Sequence, residues 1–395
     1  VTQQRAQTDV CIIGGGMVGA ATAVGLAKLG LSVALVENRR QEDYDPSQPL
    51  DVRVSAISMA SVRLLQSLGA MDAILAMRHV AYTGLETWEM EGAATRFSAS
   101  QVKLEQLGYI LENRVVQLGI WQQMANYPNL NLYCPAAVAK YQRHDNGVSV
   151  LLDDGTSIDC RLLVGCDGAN SHVRQWAGIG VSGWDYSQSA MLINIATTEE
   201  LPAITWQQFT PDGPRSLLPL PDKHASLVWY DTPQRIAQLM QMNNAALKSA
   251  IQTHFPARLA TDFEIEAKGS FPLTRRHASC YYQENVVILG DAAHTINPLA
   301  GQGVNLGFKD VAALIEVIAK AQQAGHDVAS TKVLSDYQSL RYRDNLLMMT
   351  TMDAFYAGFS NRILPLKLLR NAALRIADKS GPLKDWVLKY ALGLV

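Results

Sequence analysis

The sequence predicts an α/β protein. A nucleotide-binding domain on a parallel sheet would carry an inserted, mainly antiparallel sheet domain and a helical C-terminal region. Three observations predict this. A glycine-rich turn joins a short apolar strand to a helix near the start. Short apolar runs return at 162–166 and 286–289, as buried strands of one parallel sheet would. Between about 183 and 282 the pattern changes to repeated β-type runs, and from Gly303 onward it is mostly helical. The nucleotide-binding part is read as 1–78, 107–182 and 283–360. The second domain is read as 79–106 and 183–282, and residues 361–395 as basic amphipathic helices.

The elements follow in order. Asp9 to Ile13 is a buried strand, Met17 to Leu29 a helix closed by Gly30, and Ser32 to Glu37 a second strand. Residues 41–53 are polar and contain Pro46 and Pro49, which indicates a loop. Ile57 to Leu68, Met71 to Met77 and Val115 to Ala125 have helical spacing. Leu85 to Phe97 reads as two short strands around Glu91-Gly92. Residues 137–166 read as a meander, with turns at Asp145-Asn146-Gly147 and Asp153-Asp154-Gly155. Strands are expected at 189–197, 203–209, 214–220 and 225–231, then a helical stretch over 233–254.

Composition narrows the function. Of 395 residues, 48% are hydrophobic and 18% charged, which supplies a core and excludes global disorder. The net charge of -2 argues against a nucleic-acid partner bound by bulk electrostatics. Cys11, Cys134, Cys160, Cys166 and Cys280 are widely spaced and form no C-x-x-C, so neither a disulfide framework nor a zinc site is expected. A reducing, cytoplasmic setting fits. Val1 to Gln7 does not read as a signal peptide, and no apolar stretch reaches the ~18 residues of a spanning helix.

Gly14-Gly15-Gly16-Met17-Val18-Gly19 is a G-x-G-x-x-G turn between strand and helix. Gly14 permits the tight turn, Gly16 lets backbone approach a pyrophosphate, and Gly19 lets the helix pack on the strand. Glu37 ends the second strand, where a carboxylate accepts from a ribose hydroxyl and repels a 2′-phosphate. The expected adenosine is therefore of FAD or NAD type rather than NADP. Two later segments also follow buried strands: Cys166-Asp167-Gly168-Ala169-Asn170-Ser171-His172-Val173-Arg174, and Gly290-Asp291-Ala292-Ala293-His294 continuing through Pro298, Gly301, Gln302, Gly303 and Asn305. A Gly-Asp strand end suits a sugar or ribityl hydroxyl. A helix opening near Gly303 would aim its positive end at the anionic edge of a reduced flavin.

These three segments, in this order, resemble the FAD-dependent aromatic hydroxylases of the p-hydroxybenzoate hydroxylase type. Asp51 to Ile57, Glu112-Asn113, Gly165 to Ser171 and Gly290 to Gly307 resemble, more narrowly, the ubiquinone-biosynthesis hydroxylases. Thr205 to Arg215 and Phe355 to Asn361 resemble the subgroup acting on 3-demethoxyubiquinol. The resemblance covers essentially the whole chain. It implies a Rossmann-like FAD-binding domain roofed by the antiparallel sheet. Gly14, Gly16 and Gly19 would hold the pyrophosphate, Glu37 the adenosine ribose, and Arg53 would sit near flavin or pyrophosphate. Asp291 would bond the ribityl chain or pyrophosphate, with Gly290 and Asn305 in the same motif, and Pro298 to Gly303 would flank the ring. Asp167, Gly168 and Arg174 belong to a motif implicated in FAD and NAD(P)H contact. Asn113 and Gln117 are both candidates for an adenosine-side contact.

The implied reaction is hydroxylation of a polyprenylated benzoquinol ring. NAD(P)H reduces FAD, O2 forms a flavin C4a-hydroperoxide, and its distal oxygen attacks the ring. His294 and Pro298 are the candidates nearest the chemistry, with a structural, backbone-anchoring His294 as the plainer reading. Trp206, Phe209, Trp229 and Tyr230 either line an apolar pocket or fill the sheet core. Met348, Met349 and Met352 are core filler or contacts to an isoprenoid tail. The basic, apolar stretch 361–395 can lie on an anionic bilayer or dock on the protein itself or a partner. A ubiquinone-biosynthesis complex or a homo-oligomer is among the partners considered. Alternatives are hydroxylation at another ring position, a different FAD oxidoreduction (desaturation, reduction or halogenation), a non-catalytic flavoprotein subunit, and a plain NAD dehydrogenase, against which the Asp167 and Asp291 segments speak.

Overall fold

The structure, a computed structural model, describes residues 5–90, 92–259, 262–296, 303–360 and 364–394. Its central sheet has five parallel strands in the order Val286–Ile288, Ser157–Gly165, Arg5–Ile13, Val33–Val36 and Leu130–Tyr133. Gly147–Leu152 and Val138–His144 extend it antiparallel, and Tyr282–Gln283 forms its other edge. Val10, Cys11 and Ile12 are fully buried, as are Leu162, Leu163 and Val164. Strands covered on both faces read as unbroken apolar runs, which is why these were visible in sequence.

Helix Met17–Lys28 is buried nearly all round, from Gly19 to Ala27. It is rich in Ala and Gly, so it fits between the sheet and helices Asn113–Met124 and Gly303–Gln323. The second sheet runs His294–Thr295, Phe263–Ala278, Val181–Thr197, His224–Asp231, Arg215–Leu220, Ile204–Gln208, Gly84–Trp88 and Thr95–Ser98. Only the pairing of Ile204–Gln208 with Gly84–Trp88 is parallel. One face buries Met191, Ile193, Ile195 and Trp229 under two helices, Pro233–Gln241 and Asn244–His254. The sequence suggested one helical stretch over 233–254. The break comes where Met242 turns extended and Asn243 caps the second helix by accepting from the Ala246 N–H. The other face carries Tyr186, Ala190, Tyr230 and Leu273, packed with Tyr356 of the long helix Thr331–Phe359.

A small third sheet joins Val54–Ser58, Gly108–Glu112 and Val80–Tyr82. The sequence reading did not anticipate it, because its three short strands come from widely separated segments. Helices Leu364–Asp378 and Pro382–Ala391 close the chain. Among the described residues no helix is long and apolar enough to cross a membrane.

Candidate cofactor site and relatives

The three glycine-containing turns meet. Gly14 has φ +99°, and a Cβ there would lie 2.4 Å from the Cys166 carbonyl oxygen, so the first turn touches the Asp167 turn. Gly290 lies 3.3 Å from Val18, measured from its would-be Cβ, which places the third turn against the first helix. Arg174 joins the second and third turns. The residue is 6% exposed, and its guanidinium donates to the carbonyls of Ala169 at 2.9 Å and Ala292 at 2.8 Å. Burial lowers its pKa, and Asp167 opposes that shift.

Around this junction some positions stand open. A Cβ on Gly16 would meet nothing within 4 Å, and Gly16 is the N-cap of helix Met17–Lys28 with no side-chain cap bond. Uncapped N–H groups at a helix start favour an anion. A Cβ on Gly303, first residue of helix Gly303–Gln323, would also meet nothing within 4 Å. Asp291 is exposed, yet the surrounding protein raises its pKa by desolvation, partly offset by the charges of His294 and Arg53. Its carboxylate has no hydrogen-bond partner among the described residues. Such a group fits a ligand hydroxyl. The donor set and the open backbone therefore fit FAD.

Other expected residues are already engaged. Glu37 accepts the Gly15 N–H at 2.6 Å and the Arg39 N–H at 2.9 Å, one on each carboxylate oxygen. Gln117 Nε2 donates to the Gly15 carbonyl at 2.8 Å, and Trp121 Nε1 donates to the same oxygen at 2.8 Å. Trp121 was not singled out in sequence, because an indole on a helix gives no sign of its distant loop partner. Asn113 Oδ1 accepts from Ser55 at 2.6 Å, and the Asn113 N–H donates to the Arg53 carbonyl at 2.9 Å. Asp167 accepts from Ser171 Oγ and from the N–H groups of His172 and Val173, the start of helix His172–Trp176. It orders its own turn, with Gly168 at φ +79° beside it. Asn305 is 2% exposed and ties Ala56, Ser58 and Ser61 to helix Gly303–Gln323. Its side chain fastens the frame of the site.

His294 is 2% exposed, and its Nε2 lies 2.5 Å from Asp310 Oδ2. Asp310 also accepts the Gly290 N–H at 3.0 Å, Arg341 Nε at 2.8 Å and Asn345 Nδ2 at 3.0 Å. Asn345 and His277 both reach the Tyr281 hydroxyl. Burial opposes ionisation of Asp310, but His294, Arg341 and Asn345 outweigh it and hold the carboxyl well below the usual range. This buried cluster fixes the Gly290 turn from behind. The His294 ring is thus held by a side chain, the Asp310 carboxylate, and not by the backbone bond expected of a backbone-anchoring His294. Asp310, Arg341 and Asn345 were missed in sequence, although a lone acid among Leu306, Phe308, Val311 and Leu314 was the available signal.

Pro298, Gly301 and Gln302 lie outside the described residues. Trp206 and Trp229 belong to the core under the helices, whereas Tyr230 lies in the cluster against which Tyr356 packs, and Phe209 stacks on Phe359 at 4.0 Å. Met348 and Met349 pack with Ile296 and Leu306, behind the third turn.

Residues 7–344 match the family model described as "FAD binding domain". The chain is 51% identical over 387 residues to the "3-demethoxyubiquinol 3-hydroxylase" of Escherichia coli (strain K12), covering 98% of this chain and 99% of that protein. It is 33% identical to the "Ubiquinone hydroxylase UbiL" of Rhodospirillum rubrum, covering 98% and 89%. Among solved structures, p-nitrophenol 4-monooxygenase PnpA from Pseudomonas putida DLL-E4 superposes with a TM-score of 0.79 at 20% identity, covering 99% of this chain and 97% of that chain. That likeness is one of fold. The chain thus belongs to the family of FAD-binding monooxygenases, with the ubiquinone-biosynthesis ring hydroxylases among its relatives.

Proposed function

We propose that this FAD-dependent monooxygenase hydroxylates the ring of 3-demethoxyubiquinol, with NAD(P)H as reductant and O2 as co-substrate. The observation that carries the substrate is the 51% identity, nearly end to end, with the Escherichia coli enzyme of that name. The uncapped start of helix Met17–Lys28 would take the pyrophosphate at Gly14 and Gly16, with Gly19 closing the helix on the strand. Glu37 would use its remaining lone pairs for the ribose, and Asp291 would accept from the ribityl chain. Bound FAD supplies the redox chemistry and the oxygen transfer. The chain's own residues bind, orient and exclude water. Arg53 balances Asp291, and helix Gly303–Gln323 would present its positive end to the flavin edge. The buried cluster of Tyr186, Ala190, Tyr230 and Leu273, covered by Tyr356, would stand behind the prenylated ring. We assign His294 and Arg174 structural parts, on the bonds given above. Contact with the inner face of the membrane, where a prenylated quinol resides, belongs to the same reading.

The test is turnover of the FAD-loaded chain with NADH or NADPH, a short-chain 3-demethoxyubiquinol and 18O2. The expected product carries one labelled oxygen atom. A fully flavin-loaded chain that gives no hydroxylated product, or an unlabelled one, overturns the proposal.

A further inference from the structure

Helix Leu364–Asp378 presents its polar side inward. Arg370 and Asn371 both bond Glu89, which is 7% exposed, and Asn371 Oδ1 accepts the Met90 N–H at 3.1 Å. Asp378 accepts the Arg96 N–H at 3.0 Å and pairs with Lys384 at 2.8 Å. The outward side is apolar. Leu368, Leu369 and Ile376 are 55%, 66% and 70% exposed, and Ala372, Ala373 and Ala377 are exposed between them. The next helix, Pro382–Ala391, buries Leu388 but leaves Trp386 54% and Val387 44% exposed. A surface helix of a free-standing protein has the opposite polarity. Single exposed apolar residues are ordinary, but a continuous stripe of them marks a contact.

Charge selects the occupant. Between 364 and 394 six basic residues stand against two acidic ones, in a chain whose net charge is -2. Arg370 and Lys384 are paired inward, whereas Lys379, and Arg375 with one bond to the Gly92 carbonyl at 3.3 Å, are exposed beside the apolar stripe. A symmetric contact with a second copy would set two net-positive faces against each other. An anionic lipid surface is attracted to them and accepts the leucines, isoleucine and tryptophan at its boundary. We propose that the outward face of helix Leu364–Asp378, extended by Trp386 and Val387, docks on anionic membrane. This deepens the functional reading above and rests on it for the lipid-borne substrate. The docked helix holds the sheet domain, through Glu89, at the surface from which that substrate comes.

The test uses the full, FAD-loaded chain and vesicles of phosphatidylglycerol with phosphatidylethanolamine, against phosphatidylcholine alone. Co-sedimentation with the anionic vesicles, weakened by salt, is expected. The triple variant Leu368→Ser, Leu369→Ser, Ile376→Ser should bind roughly tenfold or more weakly, and Lys379→Glu should lose part of the anionic preference. Flavin content and NAD(P)H-dependent turnover of a water-soluble short-chain quinol should stay unchanged in both variants, which separates docking from catalysis. Three results overturn the proposal: wild-type protein that ignores anionic vesicles, a triple variant that binds like wild type, or a triple variant whose only change is from oligomer to monomer. A wild-type chain that binds vesicles yet turns over no quinol would instead sink the functional reading and leave the docking surface standing.

Discussion

Two buried carboxylates, Asp310 and Glu89, solve the same electrostatic problem at different places. Asp310 is fully buried and satisfied by His294, Arg341, Asn345 and the Gly290 N–H. Glu89 is satisfied by Arg370 and Asn371. The first cluster joins two helices to a turn of the cofactor site. The second joins the C-terminal helix to the sheet domain and so leaves that helix's apolar side outward. A buried ion pair adds little net stability over an apolar pair, but it is costly to break and it fixes one arrangement. The difference lies in what each cluster orients: a turn that would meet FAD in one case, a surface in the other.

Breaking the first cluster should have the largest effect. Asp310→Ala removes the acceptor shared by His294, Arg341 and Asn345 and leaves the buried Arg341 to Asp344 at the edge of the cluster, and about 3–5 kcal/mol of stability should be lost. Thermal melts and flavin content should fall together. Glu89→Ala should cost less, about 1.5–3 kcal/mol, because Glu89 ties down one helix whereas Asp310 holds two helices and a turn. Hydrogen exchange should then rise in 364–378 while flavin content holds. A parallel loss of flavin would show the two regions to be one unit. Asp291→Ala should weaken FAD by roughly 1.5–3 kcal/mol through the lost charged acceptor, with the apoprotein's melting point unchanged. Wild-type flavin retention after gel filtration would remove Asp291 from the site.

The last effect is a slope with pH. Burial pushes the His277 pKa down to about 4, with His294 and Arg275 adding to the shift. The unfolded chain takes up that proton near 6.5. Stability tied to neutral His277 is therefore complete above about pH 6.5 and is lost as the pH falls toward 4. Asp310 titrates below that window. Melting points of wild type and His277→Asn across this range should converge at the acid end, and parallel curves would contradict the assignment.

Much of the fold was legible because its signals are local. The Gly14–Gly19 turn, the strand ending at Glu37 and the run Leu162–Cys166 each announce themselves within a few residues. The Asp167 and Asp291 turns were legible as motifs, but the division of labour between them was not. Asp167 is bound to its own helix start, whereas the Asp291 carboxylate has no such partner among the described residues, and only the folded geometry distinguishes them. Asp310 and Arg341 sit 31 residues apart on different helices, so no local pattern pairs them. The inverted polarity of Leu364–Asp378 was half visible. Basic and apolar residues were seen to alternate, but which side faced the protein depended on Glu89, far away in sequence.

The central claim is that the three turns form an FAD cradle whose open backbone meets the pyrophosphate at Gly16. The most direct measurement is the FAD binding isotherm of the apoprotein beside that of Gly16→Val, with the melting point of each. The account predicts one FAD per wild-type chain, an unchanged apoprotein melting point in the variant, and binding weaker by roughly tenfold or more. Equal affinity in a folded Gly16→Val chain would contradict it.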